Sequence, residues 1–510
     1  MFDSTYLKMK RGKDISMKFR PENIHLEYKK SKSKIPSELW ETISSFANTD
    51  GGIIFLGIDE QKHKHHPSDF EVLGVDNPQK LKNDLLDLLK NKNKISFPAV
   101  TEDDIQILTI NEKEIIKIHV PKASFSNRPV FIKGDPKNTF IREGERDSRV
   151  TEDDLKAIIR DSDSTDNYDL LDNFSIEDDL NTIDIQNFKS LYLVKNQLES
   201  TEINNVEFLK MIGLLRKNRL TNEFQLSKAA LLLFGKYNSI TDIYKSFFLD
   251  FIVKDYTNDT SYIDRIYTSD SPGHPENIFN FFYMVSNKIA TLIQNKFEIN
   301  SDLTRKESGD KLLRSLREAL VNSLVHADYR STLPTKITFL KDKIEFSNPG
   351  ELLVPVQSFF SPSDSKTRND LIFQTFVKAK LGEHTGSGGH TIMQTSIDLE
   401  LETPEIHSTP SQTILTIWKE TETDFIDNLP LEWKETYEII SKKMIVSYSD
   451  LKHLYKSSYQ GHKVLDGMLK NGIIERSGNG KGTKYSITKK SPRLKKNINN
   501  FIEGIIDILN

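Results

Sequence analysis

The chain has 510 residues, a formal net charge of −4 and no cysteine, which is the length of about three ordinary domains. The missing thiols exclude disulfides, cysteine-held zinc and thiol catalysis. No run approaches the ~18 uninterrupted apolar residues of a membrane helix and Met1-Phe2-Asp3 opens no signal peptide, so the expected setting is the cytoplasm, with no membrane partner. The charge is uneven: residues 1–35 hold ten Lys or Arg against four acids, a local basic face suited to a phosphate backbone.

The first segment, residues 1–160, reads as an α+β domain. Glu22 and Glu27 bracket a short alternating run with Ile24 and Leu26, the pattern of a strand. Ser37 to Phe46 predicts a helix with Leu39, Trp40, Ile43 and Phe46 on one side, and Asn48 to Gly52 a turn. Ile53 to Ile58 is an apolar strand ending on Asp59 and Glu60. If both strands lie in one sheet, four carboxylates converge at one edge, a cluster suited to a divalent metal and a phosphodiester. Leu81–Leu89 predicts a helix, and Ile105–Ile110 and Ile115–Val120 two strands around Asn111-Glu112-Lys113. Phe140 to Gly144 closes the domain. His25 reads as structural, and His63, His65 and His66, set among lysines before a proline, as a solvated turn rather than a zinc site.

These residues carry a resemblance. Glu22 with Glu27-Tyr28-Lys29, then Phe46-Ala47-Asn48-Thr49-Asp50-Gly51-Gly52, then Gly57 to Glu60, resemble the Schlafen/AlbA-type domain, and Phe140-Ile141-Arg142-Glu143-Gly144 resembles its terminal arginine–glycine strand. The resemblance implies a catalytic triad of Glu22, Glu27 and Glu60 with Asp59 adjacent, holding Mg²⁺ or Mn²⁺. It implies phosphate contacts from Lys29, Lys30, Lys32 and Lys34. The third acid is Glu60 where the family's nucleases have Asp, and many bacterial members are described only as DNA-binding.

Residues 161–188 hold nine acids and no Lys or Arg, which predicts an acidic linker. Residues 189–425 read as a second α/β unit. Ala229–Phe234 is an apolar run, Phe247–Val253 a strand and Phe279–Phe297 an amphipathic helix. Leu312–Tyr329 is a longer helix, and Ile337–Leu340 and Ile344–Ser347 form a hairpin. On the long helix Glu318 and Asn322 stand four apart and so share one face. Asn348-Pro349-Gly350 and the run Gly382 to Gly389 follow, and Gly386, Gly388 and Gly389 can offer backbone N–H groups to phosphates. Ser387 lacks the Gly-x-Ser-x-Gly context of a hydrolase nucleophile.

The span 213–395 resembles a divergent Bergerat-fold ATPase of the gyrase, Hsp90 and histidine-kinase kind. The resemblance implies an α/β sandwich binding ATP, with Asn322 holding Mg²⁺ on the phosphates and Glu318 orienting water. The family's Asp-x-Gly-x-Gly is absent, and Asn348 stands where its adenine-reading Asp belongs.

Residues 432–490 read as a winged helix: helices at Tyr437–Ser441, Ser449–Tyr455 and Gln460–Asn471, then a strand, a glycine-rich hairpin and a strand. Lys463 and Lys470 on the third helix, with Arg476 and Lys481, are its candidate nucleic-acid contacts. Residues 491–510 predict a terminal helix with so many isoleucines that it packs on a domain or a second subunit. The expectation is a multidomain α/β protein, forming a homo-oligomer. Two functions follow. One is a nucleotide-gated, metal-dependent endonuclease acting on RNA, tRNA above all, in antiviral defence. The other is an ATP-responsive DNA-binding regulator whose acids are structural.

Overall fold

Asn48, the third residue of the Phe46–Gly52 motif, shows how the first segment folds. It ends helix α1 (Leu39–Asn48) and is buried. Its side-chain amide donates to the Val130 and Phe140 carbonyls at 2.8 and 3.0 Å, and its Oδ1 accepts from the Val130 N–H at 2.8 Å. Gly51 adopts φ +75°, and a methyl group there would lie 2.8 Å from the Val120 carbonyl oxygen. The turn is thus a fold determinant: a bonded amide and a glycine that lets two backbones touch.

The computed structural model describes residues 22–60, 70–162, 169–198, 203–254, 262–297, 303–361, 366–382, 388–419, 426, 429–471, 473–478 and 483–487. The chain divides into two compact units, residues 1–165 with 409–411 and residues 166–408 with 412–510. It is a mixed α/β protein of several sheets.

In the first unit, β1 (Leu26–Lys29) runs parallel to β2 (Gly52–Leu56), because α1 provides the crossover that a parallel pair requires. The hairpin β3 (Ile58–Glu60) and β4 (Phe70–Val72) follows, then α2 (Pro78–Leu89). Strands β5 (Ile105–Ile110) and β6 (Lys113–Val120) complete a sheet of order β1-β2-β6-β5. Alternation along β2 sends Ile54 and Leu56 into the core with α1 and α2, and Ile53 and Phe55 to a smaller cluster with Leu26, Tyr28 and Ile58. The hairpin β7 (Phe140–Glu143) and β8 (Arg146–Arg149) packs on α1, and α3 (Glu152–Ser162) follows.

The second unit opens with α4 (Ile176–Asp179), α5 (Thr182–Asn196) and α6 (Asn205–Ile212). The described part of the predicted acidic linker is not a connector. Leu171, Leu180, Ile185 and Phe188 are buried in this unit's core, and the Leu171 and Asn181 N–H groups donate to Leu226 and Phe234 carbonyls. Its acids fooled the composition argument because they sit at helix starts, and because buried Asp184 accepts from Asn277 and Asn280 at 2.7 and 2.9 Å. Hairpin β9 (Leu215–Lys217) and β10 (Phe224–Leu226) precedes α7 (Lys228–Phe234), apolar after its first residue, and α8 (Tyr237–Ile243).

Strands β11 (Leu249–Lys254) and β12 (Tyr262–Tyr267), helices α9 (Ile278–Phe297) and α10 (Leu303–His326), and strands β13 (Thr335–Phe339) and β14 (Lys343–Pro349) build the centre. After α11 (Val356–Phe359), α12 (Asp370–Lys378) and α13 (Gly388–Asp398), strands β15 (Glu405–Ser408) and β16 (Gln412–Trp418) complete a six-stranded sheet. Its order is β12-β11-β13-β14-β16-β15, with β11 and β13 parallel. Helix α10 stops at His326, short of the expected Tyr329, because the Asp328 N–H turns to the Pro349 carbonyl at 2.9 Å.

The last described elements are α14 (Leu431–Lys443), β17 (Ile445–Ser447), α15 (Tyr448–Leu451), α16 (Ser458–Lys470), β18 (Ile474–Ser477) and β19 (Lys484–Ile487), with sheet order β17-β19-β18 around a separate small core. The short β17 went unread in the sequence. The expected terminal helix, 491–510, lies outside the described residues.

Candidate functional sites

Glu27 lies on the face of β1 that looks toward α1. Its two carboxylate oxygens accept from Lys29 Nζ and Arg142 Nη2, each at 2.7 Å. Arg142, on β7, donates through Nη1 to Asp147 on β8 at 2.8 Å, and Asp147 accepts from the Thr42 hydroxyl of α1 at 2.6 Å. The guanidinium sits over the Phe46 ring, 5.1 Å from its centroid. Burial opposes its charge, but hydrogen bonds to Asp147 and Glu27 outweigh that, and the Arg142 pKa is raised. Glu27 and Arg142 are 7% and 6% exposed, so this is a charge-assisted network held out of water.

The other predicted acids go elsewhere. Glu22, also buried, accepts from the Tyr28 N–H at 3.1 Å and so braces β1. Asp59 pairs with exposed Lys30 at 2.8 Å. Glu60 stands two residues beyond Ile58, which packs with Leu26 and Tyr28, and these two face away from Glu27 along β1. Among the described residues, no group of three or more His, Asp or Glu side chains is arranged to hold a metal ion. The four carboxylates expected at one sheet edge are therefore not gathered. Glu27 is paired with two neighbouring cations, and Glu60 lies on β3, in a different sheet from β1. Lys32 and Lys34 are exposed, Lys29 is largely committed to Glu27, and His25 Nδ1 lies 3.1 Å from the Gly51 carbonyl oxygen, as a structural histidine should. Arg142 was read only as part of the terminal arginine–glycine strand, without a partner, and Asp147 escaped the sequence reading. The signal was present in Phe140–Gly144, a strand whose arginine follows two apolar residues, Phe140 and Ile141.

In the second unit, Glu318 and Asn322 lie one turn apart on α10 and meet the first residue of α13. A methyl group at Gly388 would stand 2.3 Å from Glu318 Oε1 and 2.8 Å from Asn322 Nδ2, and one at Gly389 would stand 1.9 Å from the Phe359 carbonyl oxygen. Only glycine admits this approach. Gly386 lies outside the described residues. Gly350 follows β14 with φ +99°, and a methyl group there would lie 2.7 Å from Arg368 Cζ. Arg368 donates to the His326 and Glu351 carbonyls. Asn369 Nδ2 donates to the Val325 and Ala327 carbonyls, each at 2.8 Å, so these two residues satisfy the C-terminus of α10. Burial, with the Arg368 charge beside it, pushes the His326 imidazole down to about 4. Asn348 is buried on β14, its amide 3.3 Å from the Pro349 carbonyl oxygen. Arg368 and Asn369 were also missed; their mark is the polar run Thr367–Asp370 at the start of α12.

Glu318, Asn322 and the backbone of Gly388 and Gly389 are thus closely packed at the start of α13. On α16, Lys463 and Lys470 are exposed, as is Arg476 on β18; Lys481 lies outside the described residues.

Three family models match parts of the chain. Residues 22–151 match the family described as "Schlafen, AlbA_2", and residues 156–250 a domain of unknown function, DUF8451. Residues 334–417 match the family described as "Putative ATP-dependent DNA helicase recG C-terminal". The protein is therefore a multidomain α/β chain with a Schlafen/AlbA_2 domain ahead of a domain similar to the RecG C-terminal family. No curated protein matches it. Among solved structures, it is similar to the DIP2311 protein from Corynebacterium diphtheriae, at 13% identity and TM-score 0.37, over 91% of this chain and 95% of that one. The N-terminal domain of a "Putative ATP-dependent DNA Helicase RecG-related Protein" from Nitrosomonas europaea is 24% identical over 26% of this chain and 85% of that one, at TM-score 0.20. Among the described residues, no helix is long and apolar enough to cross a membrane.

Proposed function

We propose that this protein is a nucleotide-responsive nucleic-acid-binding protein. The Schlafen/AlbA_2 domain binds the phosphate backbone, and the second unit binds ATP. The observation that carries this reading is the contrast between two acids. Glu27 is closed by Lys29 and Arg142 at 2.7 Å, whereas Glu318 and Asn322 pack against the glycine backbone at the start of α13, so closely that a methyl group at Gly388 would collide with both. Exposed Lys30, Lys32 and Lys34 supply backbone contacts in the first unit. In the second, Glu318 and Asn322 would hold the Mg²⁺–phosphate end of ATP, which supplies the charge that orders the surrounding backbone, and Gly388 and Gly389 would let main-chain N–H groups approach. The helices and three-stranded sheet of residues 431–487 support a winged helix presenting α16 to duplex DNA.

The test is incubation of the full chain with tRNA, single-stranded DNA and duplex DNA, in Mn²⁺ or in EDTA. Retarded but intact nucleic acid in both conditions supports binding. Cleavage of the tRNA in Mn²⁺ that EDTA and Glu27→Ala both abolish would instead establish a metal-dependent endoribonuclease, an activity that would suit anti-phage defence. Calorimetry with ATP and Mg²⁺ tests the second unit; absence of heat at micromolar protein would reduce it to a scaffold.

A further inference from the structure

We infer that the β9–β10 hairpin, within the stretch matched only to a domain of unknown function, is a second nucleic-acid contact that engages a duplex. The proposal rests on the nucleic-acid reading above but concerns a different unit. The hairpin residues 215–226 hold Arg216, Lys217 and Arg219 against one acid, Glu223, in a chain whose net charge is −4. All three cations are exposed.

The faces are sorted by register. Lys217 pairs with Phe224 and Arg216 with Gln225, so Lys217 and Phe224 share a side. Lys210 of α6 lies over the Phe224 ring, 4.0 Å from its centroid, adding a fourth cation to that side. At the tip, Leu220 is 96% exposed. A fully exposed leucine beside an arginine on a protruding ribbon has no role in its own fold.

The tip is also built to hold its shape. Asn218 accepts at Oδ1 from the Leu220 and Thr221 N–H groups at 2.9 and 3.3 Å, and its amide donates to Gln225 at 2.7 Å. The Asn218 N–H donates to the Glu223 carbonyl at 2.8 Å, and the Asn222 N–H to the Asn218 carbonyl at 2.9 Å. Asn222 takes the left-handed conformation, φ +66°, which asparagine tolerates better than most residues. A clamped tip loses little conformational freedom on binding. A two-stranded ribbon is narrow enough for a DNA groove. Its cations then meet the flanking phosphates, and Leu220 offers an apolar contact inside the groove.

The experiment measures fluorescence anisotropy of a labelled 30-base-pair duplex with the full-length protein, its Lys217→Gln/Arg219→Gln double variant and its Leu220→Ser variant, across a salt series. Loss of two phosphate contacts should lower the slope of log affinity against log salt by about 2, and weaken binding on the order of tenfold at 0.1 M salt. Leu220→Ser should weaken binding without changing the slope. Both changes lie on exposed residues, and an unchanged thermal transition shows that the variants fold. A double variant that binds with the wild-type slope and affinity overturns the assignment and leaves the hairpin to an acidic protein partner. If the wild type itself binds no duplex at low salt, this proposal falls with it, and single-stranded DNA and tRNA binding in the same assay decide whether the broader reading survives.

Discussion

Glu27 and Glu318 are both buried acids that sequence motifs assign to phosphate chemistry, yet they have opposite surroundings. Each is about 7% exposed. Around Glu27 the fold supplies two cations, a second acid and a threonine, and every carboxylate oxygen of Glu27 is engaged. Around Glu318 it supplies an asparagine one turn away and a glycine where any side chain would collide. A buried acid ringed by cations contributes to folding; one packed against a glycine at a helix start lies where the proposed nucleotide site would be. The residue type is the same, and the neighbours decide.

The largest expected effect is on the closed site. Arg142→Ala leaves Glu27 and Asp147 buried without their shared cation, and removal of one partner from a buried ion network costs about 3–5 kcal/mol. Urea unfolding should show the loss. An unchanged midpoint would mean that the network is more open than its geometry, and the contrast with Glu318 would collapse.

Next comes His326, which the fold keeps neutral at the end of α10. Its pKa is about 4 in the fold and near 6.5 in the unfolded chain. Between these values the unfolded chain takes up a proton that the fold refuses. The stability from this group is therefore intact above about pH 6.5 and declines as pH falls toward 4, by ~3 kcal/mol in all. His326→Gln should flatten that part of the profile; the same acid slope in the variant would assign it to other groups.

Gly388→Ala probes the open site. The added methyl should weaken ATP binding at least about tenfold, ~1.4 kcal/mol, by calorimetry. Wild-type affinity in the variant would show that the start of α13 is not part of a nucleotide site. The smallest effect belongs to Lys30→Ala. Its exposed pair with Asp59 is worth under about 1 kcal/mol to stability, so unfolding should barely move. The salt slope of nucleic-acid binding should fall by about 1, and an unaltered slope would remove Lys30 from the interface.

Much of the architecture was legible because periodicity is local. The helical spacing of Leu39, Trp40, Ile43 and Phe46 is readable over two turns and that helix is present, whereas the strand read from Ile24 and Leu26 begins only at Leu26, with Ile24 exposed ahead of it. Also present are the strand at Ile105–Ile110 and the hairpin read at Ile337–Leu340 and Ile344–Ser347, which forms as β13 and β14. The Phe46–Gly52 motif was legible as a turn but not as a clamp, since the partners of Asn48 lie more than 80 residues away. The acidic stretch misled for a related reason: composition counts charges, whereas Leu171, Leu180, Ile185 and Phe188 decide where the segment packs.

The sequence by itself determined which positions are apolar, where glycine must stand and that Glu318 and Asn322 share a helix face. Hydrophobic period and backbone sterics act between near neighbours. Only the tertiary structure decided what each buried acid is for. Arg142 reaches Glu27 across 115 positions of chain, and Gly388 meets Glu318 from 70 positions further along. The work of an ionised group depends on the charges and space within a few ångströms of it, since Coulomb energy and desolvation both fall off with distance. Those neighbours are assembled by the fold rather than written beside the residue.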